Sequence, residues 1–174
     1  NWDLAGAWIA GQGLPFATVA ELLRPESLFR KFVAHRESLG MQELPLDDGA
    51  AVFGALLRHV RAGGVVCLPA DRDLSDSGVE VKFFGEPARM PGGPAALAVS
   101  TGAALFAIEL WYDGPCMRIN VPPPLEVPLD GDRRSRVATV TQQIADAFEV
   151  GIARHPEDWH VTQPVWVADL EQVE

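Results

Sequence analysis

The sequence predicts an α/β fold with a largely parallel central sheet flanked by helices and an antiparallel edge. Three observations predict it. Short apolar, β-tolerant runs alternate with amphipathic helical stretches in the early part of the chain, and strand–helix–strand order of that kind demands crossover units and a parallel sheet. Val65-Val66-Cys67-Leu68 is a bare apolar run, the pattern of a parallel strand buried on both faces. Leu105–Tyr112 and Met117–Val121 face each other across Asp113-Gly114-Pro115, which supplies the antiparallel neighbours.

Taken in order, Asp3 stands where a first helix starts, and Leu4, Trp8 and Ile9 recur at helical spacing. Residues 17–21 read as a strand ending in Glu21. Pro25-Glu26-Ser27 opens a helix, with Pro at an early position and an acid in the first turn. Leu28, Phe29, Phe32 and Val33 give it one apolar stripe, and Gly40 ends it. Met41–Leu46 is the next strand. Asp47-Asp48-Gly49 caps a helix striped by Val52, Phe53, Leu56, Leu57 and Val60, which Gly63-Gly64 stops.

The strand at 65–68 runs into a polar loop, residues 69–78. Val79, Val81 and Phe83 then alternate as a strand, followed by Gly85-Glu86-Pro87. Residues 91–104 form a small-residue helix rich in Ala and Gly. Pro122-Pro123-Pro124 is a stiff connector. Val137, Val140, Ile144 and Phe148 mark a long helix over about 133–153, and a Trp-bearing tail follows His155-Pro156-Glu157-Asp158-Trp159-His160. There is no internal repeat.

The chain of 174 residues is one domain-sized unit with room for a single substantial core. It carries 24 acidic against 14 basic side chains, a net charge of −10. That balance excludes nucleic acid as a partner and disfavours nonspecific adhesion to an anionic membrane. Basic residues do gather early, at Arg24, Arg30, Lys31, Arg36, Arg58 and Arg61. Cys67 and Cys116 make no disulfide framework, which points to a reduced, cytosolic setting. Four scattered histidines and two cysteines make no zinc site. No apolar run approaches the roughly twenty residues that span a bilayer, and no stretch reads as a signal peptide.

Four places can carry chemistry. Asp3, flanked by Trp2 and Trp8, is either an N-cap or a functional carboxylate. Arg36 continues the apolar stripe of its helix, so its charge points inward or along a cleft and must be paired. It is either half of a structural ion pair, with Glu21 or Asp71 as partners, or an anchor for an anionic substrate group. Asp71-Arg72-Asp73 is a charged loop, solvated or functional, at the carboxyl end of a strand. Ligands sit at that edge of parallel sheets, which also places Glu21 there. Glu80 alternates onto the face opposite Val79, Val81 and Phe83, an exposed position and a secondary candidate.

Asn1-Trp2-Asp3-Leu4-Ala5-Gly6 resembles the back half of a motif of a His, four intervening residues and an acid. That motif belongs to the lipid A lauroyl-type and phosphatidylinositol mannoside acyltransferase family, relatives of the glycerol-phosphate acyltransferases. Arg36-Glu37-Ser38-Leu39-Gly40 is similar to the family's second block, Asp71 and Asp73 to its Asp-x-Asp, and Val79–Gly85 to its third block. The form of these motifs, with His155-Pro156-Glu157-Asp158-Trp159, most resembles actinobacterial members.

The resemblance implies a glycerol-phosphate-acyltransferase-like fold and a single acyltransferase domain over 1–174, whose general-base His lies before Asn1. None of His35, His59, His155 or His160 has an acid at the required offset. It further implies transfer of a long-chain, palmitoyl-like group from acyl-CoA to a sugar hydroxyl of a membrane glycolipid, with no cofactor. Asp3 would orient the imidazole, Glu80 would support it, and Arg36, Asp71, Arg72, Asp73 and Glu21 would hold substrate. The Ala/Gly-rich helix from Gly92 to Ala104 would leave room for the acyl chain. The setting implied is peripheral, at the cytoplasmic face of the plasma membrane, with the upstream segment as a candidate separate partner chain. The competing readings are a non-catalytic lipid-binding relative or inactive fragment, and a soluble hydrolase on the same sheet.

Overall fold

Phe16–Ala20 (β1), Met41–Pro45 (β2) and Val65–Cys67 (β3) run parallel in the order β2-β1-β3. The computed structural model describes residues 2–20, 24–45, 49–73 and 77–170. The chain divides into two units, Asn1–Pro69 and Ala70–Glu174. Glu21, Leu46 and the expected Asp47-Asp48 cap lie outside the described residues.

The first unit holds the parallel sheet with helices α1 (Trp2–Gly11), α2 (Glu26–Ser38) and α3 (Gly49–Arg61). Each strand-to-strand connection is helical, as parallel pairing requires. Gly40 sits at φ +87 directly before β2, a left-handed turn that lets α2 stop and the chain reverse. Phe16 and Met41 pair across β1 and β2, and both are buried with Ala17. On α3, Val52 and Leu56 are buried, as the stripe predicts.

Burial departs from the apolar patterns at three places. On α1 the buried residues are Ala5 and Gly6, whereas Leu4 and Trp8 are 53% and 57% exposed. The reason is steric: a Cβ on Gly6 would fall 2.7 Å from Met41 Sδ and 3.3 Å from Phe16 Cζ, so the helix backbone itself lies on the strands. The stripe of α2 divides, with Phe29, Val33 and Arg36 half-buried and Leu28 and Phe32 exposed. The apolar run at 65–68 is an edge strand, half-buried throughout, because among the described residues no strand lies beyond it.

The second unit contains two antiparallel pairs, β4 (Val79–Phe83) with β5 (Glu86–Met90), and β6 (Glu109–Asp113) with β7 (Cys116–Asn120). Helix α4 spans Gly93–Thr101, α5 spans Arg133–Arg154, a 3-10 turn follows at Pro156–Asp158, and α6 spans Val167–Leu170. The second hairpin agrees with the sequence, although β6 starts at Glu109 rather than Leu105; Leu105 instead accepts a backbone hydrogen bond from Leu125 at 2.8 Å. Each antiparallel pair forms its own sheet rather than an edge of the parallel one.

Strand β5 is the element that sequence reading missed. Phe84 (φ +50) and Gly85 (φ +86) make a two-residue turn with both φ positive, the geometry that suits a right-twisted hairpin. Val81, Phe83, Ala88 and Met90 line the inner face and pack on Ala145 of α5, with Phe148, Trp159 and Trp166 around them. Helix α5 also covers the free edge of β4. Gln142 accepts from the Lys82 N–H and donates to the Lys82 carbonyl, each at 2.8 Å, and the Glu149 carboxylate accepts from the Phe84 N–H.

Candidate functional site

Asp3 lies in the first turn of α1, where a carboxylate complements the helix dipole. Its side chain is turned to another element: Arg36 Nε, on the last turn of α2, donates to Asp3 Oδ1 at 2.7 Å across 33 positions of sequence. The second arm of the guanidinium, NH1, donates to Glu43 Oε1 on β2. The ring of Trp2 lies under the fork, 4.4 Å from Cζ to the centroid, and that of Phe32 at 5.7 Å. One cation thus gathers α1, α2 and β2.

The elements explain the placement. Gly6 lets α1 rest on β1 and β2, so that Asp3, one turn earlier, comes to the flank of β2. On β2, Glu43 shares the side of Met41, two residues before it, and so faces the same layer as the buried methionine. Thr18 on β1 and Cys67 on β3 continue that row.

Burial decides the electrostatics. Side-chain exposure is 44% at Asp3, 15% at Arg36 and 1% at Glu43. Desolvation opposes the Arg36 charge, and the hydrogen bonds and charges of Asp3 and Glu43 more than offset it, holding the guanidinium above its ordinary value. Among the described residues Arg36 is paired with Asp3 and Glu43. Of the partners expected, Glu21 lies outside the described residues, and Asp71 accepts from Trp159.

The remaining candidates belong to the second unit. Asp71 Oδ2 accepts from Trp159 Nε1 at 3.0 Å, and Asp73 Oδ2 accepts from the Gly78 N–H at 2.8 Å. A Cβ on Gly78 would fall 2.3 Å from that oxygen, so the glycine is what lets the loop close on Asp73. Arg72 between them is half-buried. Glu80 is exposed on β4, opposite Val81 and Phe83, beside a shallow cleft of about 330 Å³ shared with Lys82, Pro87 and Gln142. His155 stacks on Trp111 at 4.9 Å at the end of α5. Among the described residues no three His, Cys, Asp or Glu side chains converge on a common point for a metal, and no helix is long and apolar enough to cross a membrane.

The structure brings together Asp3 and Arg36, both singled out from the sequence, and adds Glu43, which was not. The available signal was parity, since a charged residue two places from Met41 in a short strand faces the side of the sheet that the methionine occupies.

With this geometry in place, similarity to known proteins becomes informative. Residues 1–167 match the family described as bacterial lipid A biosynthesis acyltransferase. A phosphatidylinositol mannoside acyltransferase of Mycobacterium tuberculosis (strain CDC 1551 / Oshkosh) is 50% identical over 173 residues, 99% of this chain and 53% of that protein. The protein of that name from Mycolicibacterium smegmatis (strain ATCC 700084 / mc(2)155) is 49% identical over 171 residues, 98% of this chain and 55% of its own length. The chain therefore spans about half the length of these relatives.

Proposed function

The chain belongs to the bacterial lipid A biosynthesis acyltransferase family, and from that premise we propose that it is the acyl-transferring part of an enzyme that acylates a membrane glycolipid. The acceptor is a sugar hydroxyl, in the first instance a mannose of a phosphatidylinositol mannoside. The donor is a long-chain acyl-CoA such as palmitoyl-CoA. The contact between Asp3 and Arg36 carries this reading. Two residues from separate motif blocks, 33 apart in sequence, meet in one charge-assisted hydrogen bond.

The chemistry follows from the parts. In the family's motif the imidazole stands five residues before the acid, on the segment leading into α1. Asp3, with one oxygen committed to Arg36, accepts the ring N–H with the other and holds the ring in one tautomer. The other ring nitrogen takes the proton of the acceptor hydroxyl as its oxygen attacks the thioester carbonyl carbon. Collapse of the tetrahedral adduct breaks the C–S bond, and the imidazolium returns its proton to the departing thiolate. The guanidinium of Arg36 holds the carboxylate of Asp3 in place throughout. Within the second unit, Arg72 with Asp71 and Asp73 is assigned to binding a polar group of a substrate. The enzyme acts as a peripheral protein at the cytoplasmic face of the plasma membrane.

The test supplies full-length protein with palmitoyl-CoA and a phosphatidylinositol mannoside and follows the acylated lipid by mass. Transfer is expected, and Asp3→Asn is expected to lower kcat by roughly 100-fold or more. Acyl-CoA consumption with water as acceptor identifies a hydrolase. No turnover in either assay overturns the catalytic reading.

A further inference from the structure

The strongest unexplained group in the first unit is Glu43. Its side chain is 1% exposed, deeper than either group it is linked to. A buried carboxylate normally has its oxygens hydrogen-bonded, because burying one with free lone pairs is costly. Glu43 is not saturated. Among the described residues its one hydrogen bond is to Arg36, and Oε2 finds no protein partner; neither does Oγ1 of Thr18, its neighbour across the sheet. A hydrophobic side chain of similar size would pack there at no electrostatic cost. The carboxylate therefore earns its place through the guanidinium.

We infer that Glu43 is a positioning residue for acyl transfer. Anchored in β2, it fixes one arm of the Arg36 fork, so that the other arm holds Asp3 at one distance and angle. This rests on the proposed role of Asp3 and extends it by one link, a line of Glu43, Arg36 and Asp3 from the sheet interior to a half-exposed carboxylate. Rigidity comes from the interior end, since a planar guanidinium gripped at two corners and stacked on Trp2 has little freedom left. Without Glu43 the fork is tethered, among the described residues, only to a half-exposed carboxylate, and both are freer to move.

The experiment measures kcat and KM of full-length protein with palmitoyl-CoA and a phosphatidylinositol mannoside, for wild type, Glu43→Gln, Asp3→Asn and the double variant. Glu43→Gln keeps the shape and removes the charge. The expected result is a kcat lower by about 10- to 100-fold, with both KM values within about 2-fold of wild type. In the Asp3→Asn background the same change is expected to cost less than about 3-fold, because a residue acting through Asp3 has nothing left to position. A merely structural Glu43 would give the same loss in both backgrounds, and that outcome overturns the inference, as does an unchanged kcat or an effect confined to KM. Should Glu43→Gln fail to fold, Glu43→Asp retains the charge on a shorter arm. An intermediate kcat then supports the role, and a wild-type kcat overturns it. Inactive wild-type protein removes the catalytic reading and this inference with it; active wild type with an unmoved Glu43→Gln removes the positioning role alone.

Discussion

Arg36 shows how exposure ranks interactions that look alike on paper. Its bond to Glu43 is buried, whereas those of Arg30 to Glu26 and Arg118 to Asp113 lie on the surface, where an ion pair contributes about 0–1 kcal/mol. Arg36→Met would leave Glu43 as an uncompensated buried charge, and the expected loss is about 3–5 kcal/mol in urea unfolding. Asp3→Asn removes only a half-exposed partner and is expected to cost about 1 kcal/mol. That gap lets catalytic and structural losses be read separately. Cys67 offers a pH-dependent check on the same row of the sheet. Burial pushes its thiol up from 9.0 to about 11, so the folded chain keeps the proton over a range where the unfolded chain releases it. The associated stability is complete below pH 9 and drains away as pH climbs to about 11, some 2–3 kcal/mol at about 1.4 kcal/mol per unit. Stability measured at pH 8 and pH 11, compared with Cys67→Ala, should show this extra drop in wild type only. At pH 8 an alkylating reagent should label exposed Cys116 and spare Cys67.

Among the elements, the β4–β5 hairpin and α1 hold the lessons about legibility. Val79, Val81 and Phe83 announced β4 by alternation, yet Glu86-Pro87-Ala88-Arg89-Met90 did not announce its partner, because proline removes a ladder donor and reads as a break. The turn itself was the missed signal, since Phe84-Gly85 supplies two left-handed residues between alternating runs. Gly85→Ala is expected to destabilise the protein by about 1–2 kcal/mol in urea unfolding, because alanine at φ +86 pays the left-handed penalty. In α1 the helix was legible from Asp3 and the Leu4–Trp8 spacing, but its inward side was not. Periodicity assumes that the largest apolar residues point inward. Here the contact is made by Ala5 and Gly6, the small side that fits against Phe16 and Met41.

For the molecule as a whole, the α/β class and the order of helices could be read from apolar runs and glycine stops, and they agree with the structure. Which strand lay at the edge could not, because Val65-Val66-Cys67-Leu68 is equally apolar whether one neighbour or two stand beside it. Asp3 and Arg36 could each be singled out as members of separate motif blocks, but their contact could not be read from the sequence. The deeper partner of Arg36 was passed over, despite its parity with Met41, because a glutamate in a short strand is ordinarily a surface residue. The strand order also bears on how the chain is made. β1 occupies the middle of its sheet although it precedes both neighbours in sequence. As the polypeptide leaves the ribosome, β1 emerges with two open edges; β2 closes one, and the other stays bare until residue 67 has appeared. For that interval the nascent sheet has a sticky flank, and residues 49–61, the future α3, are the stretch of chain that must emerge before the third strand can cover it.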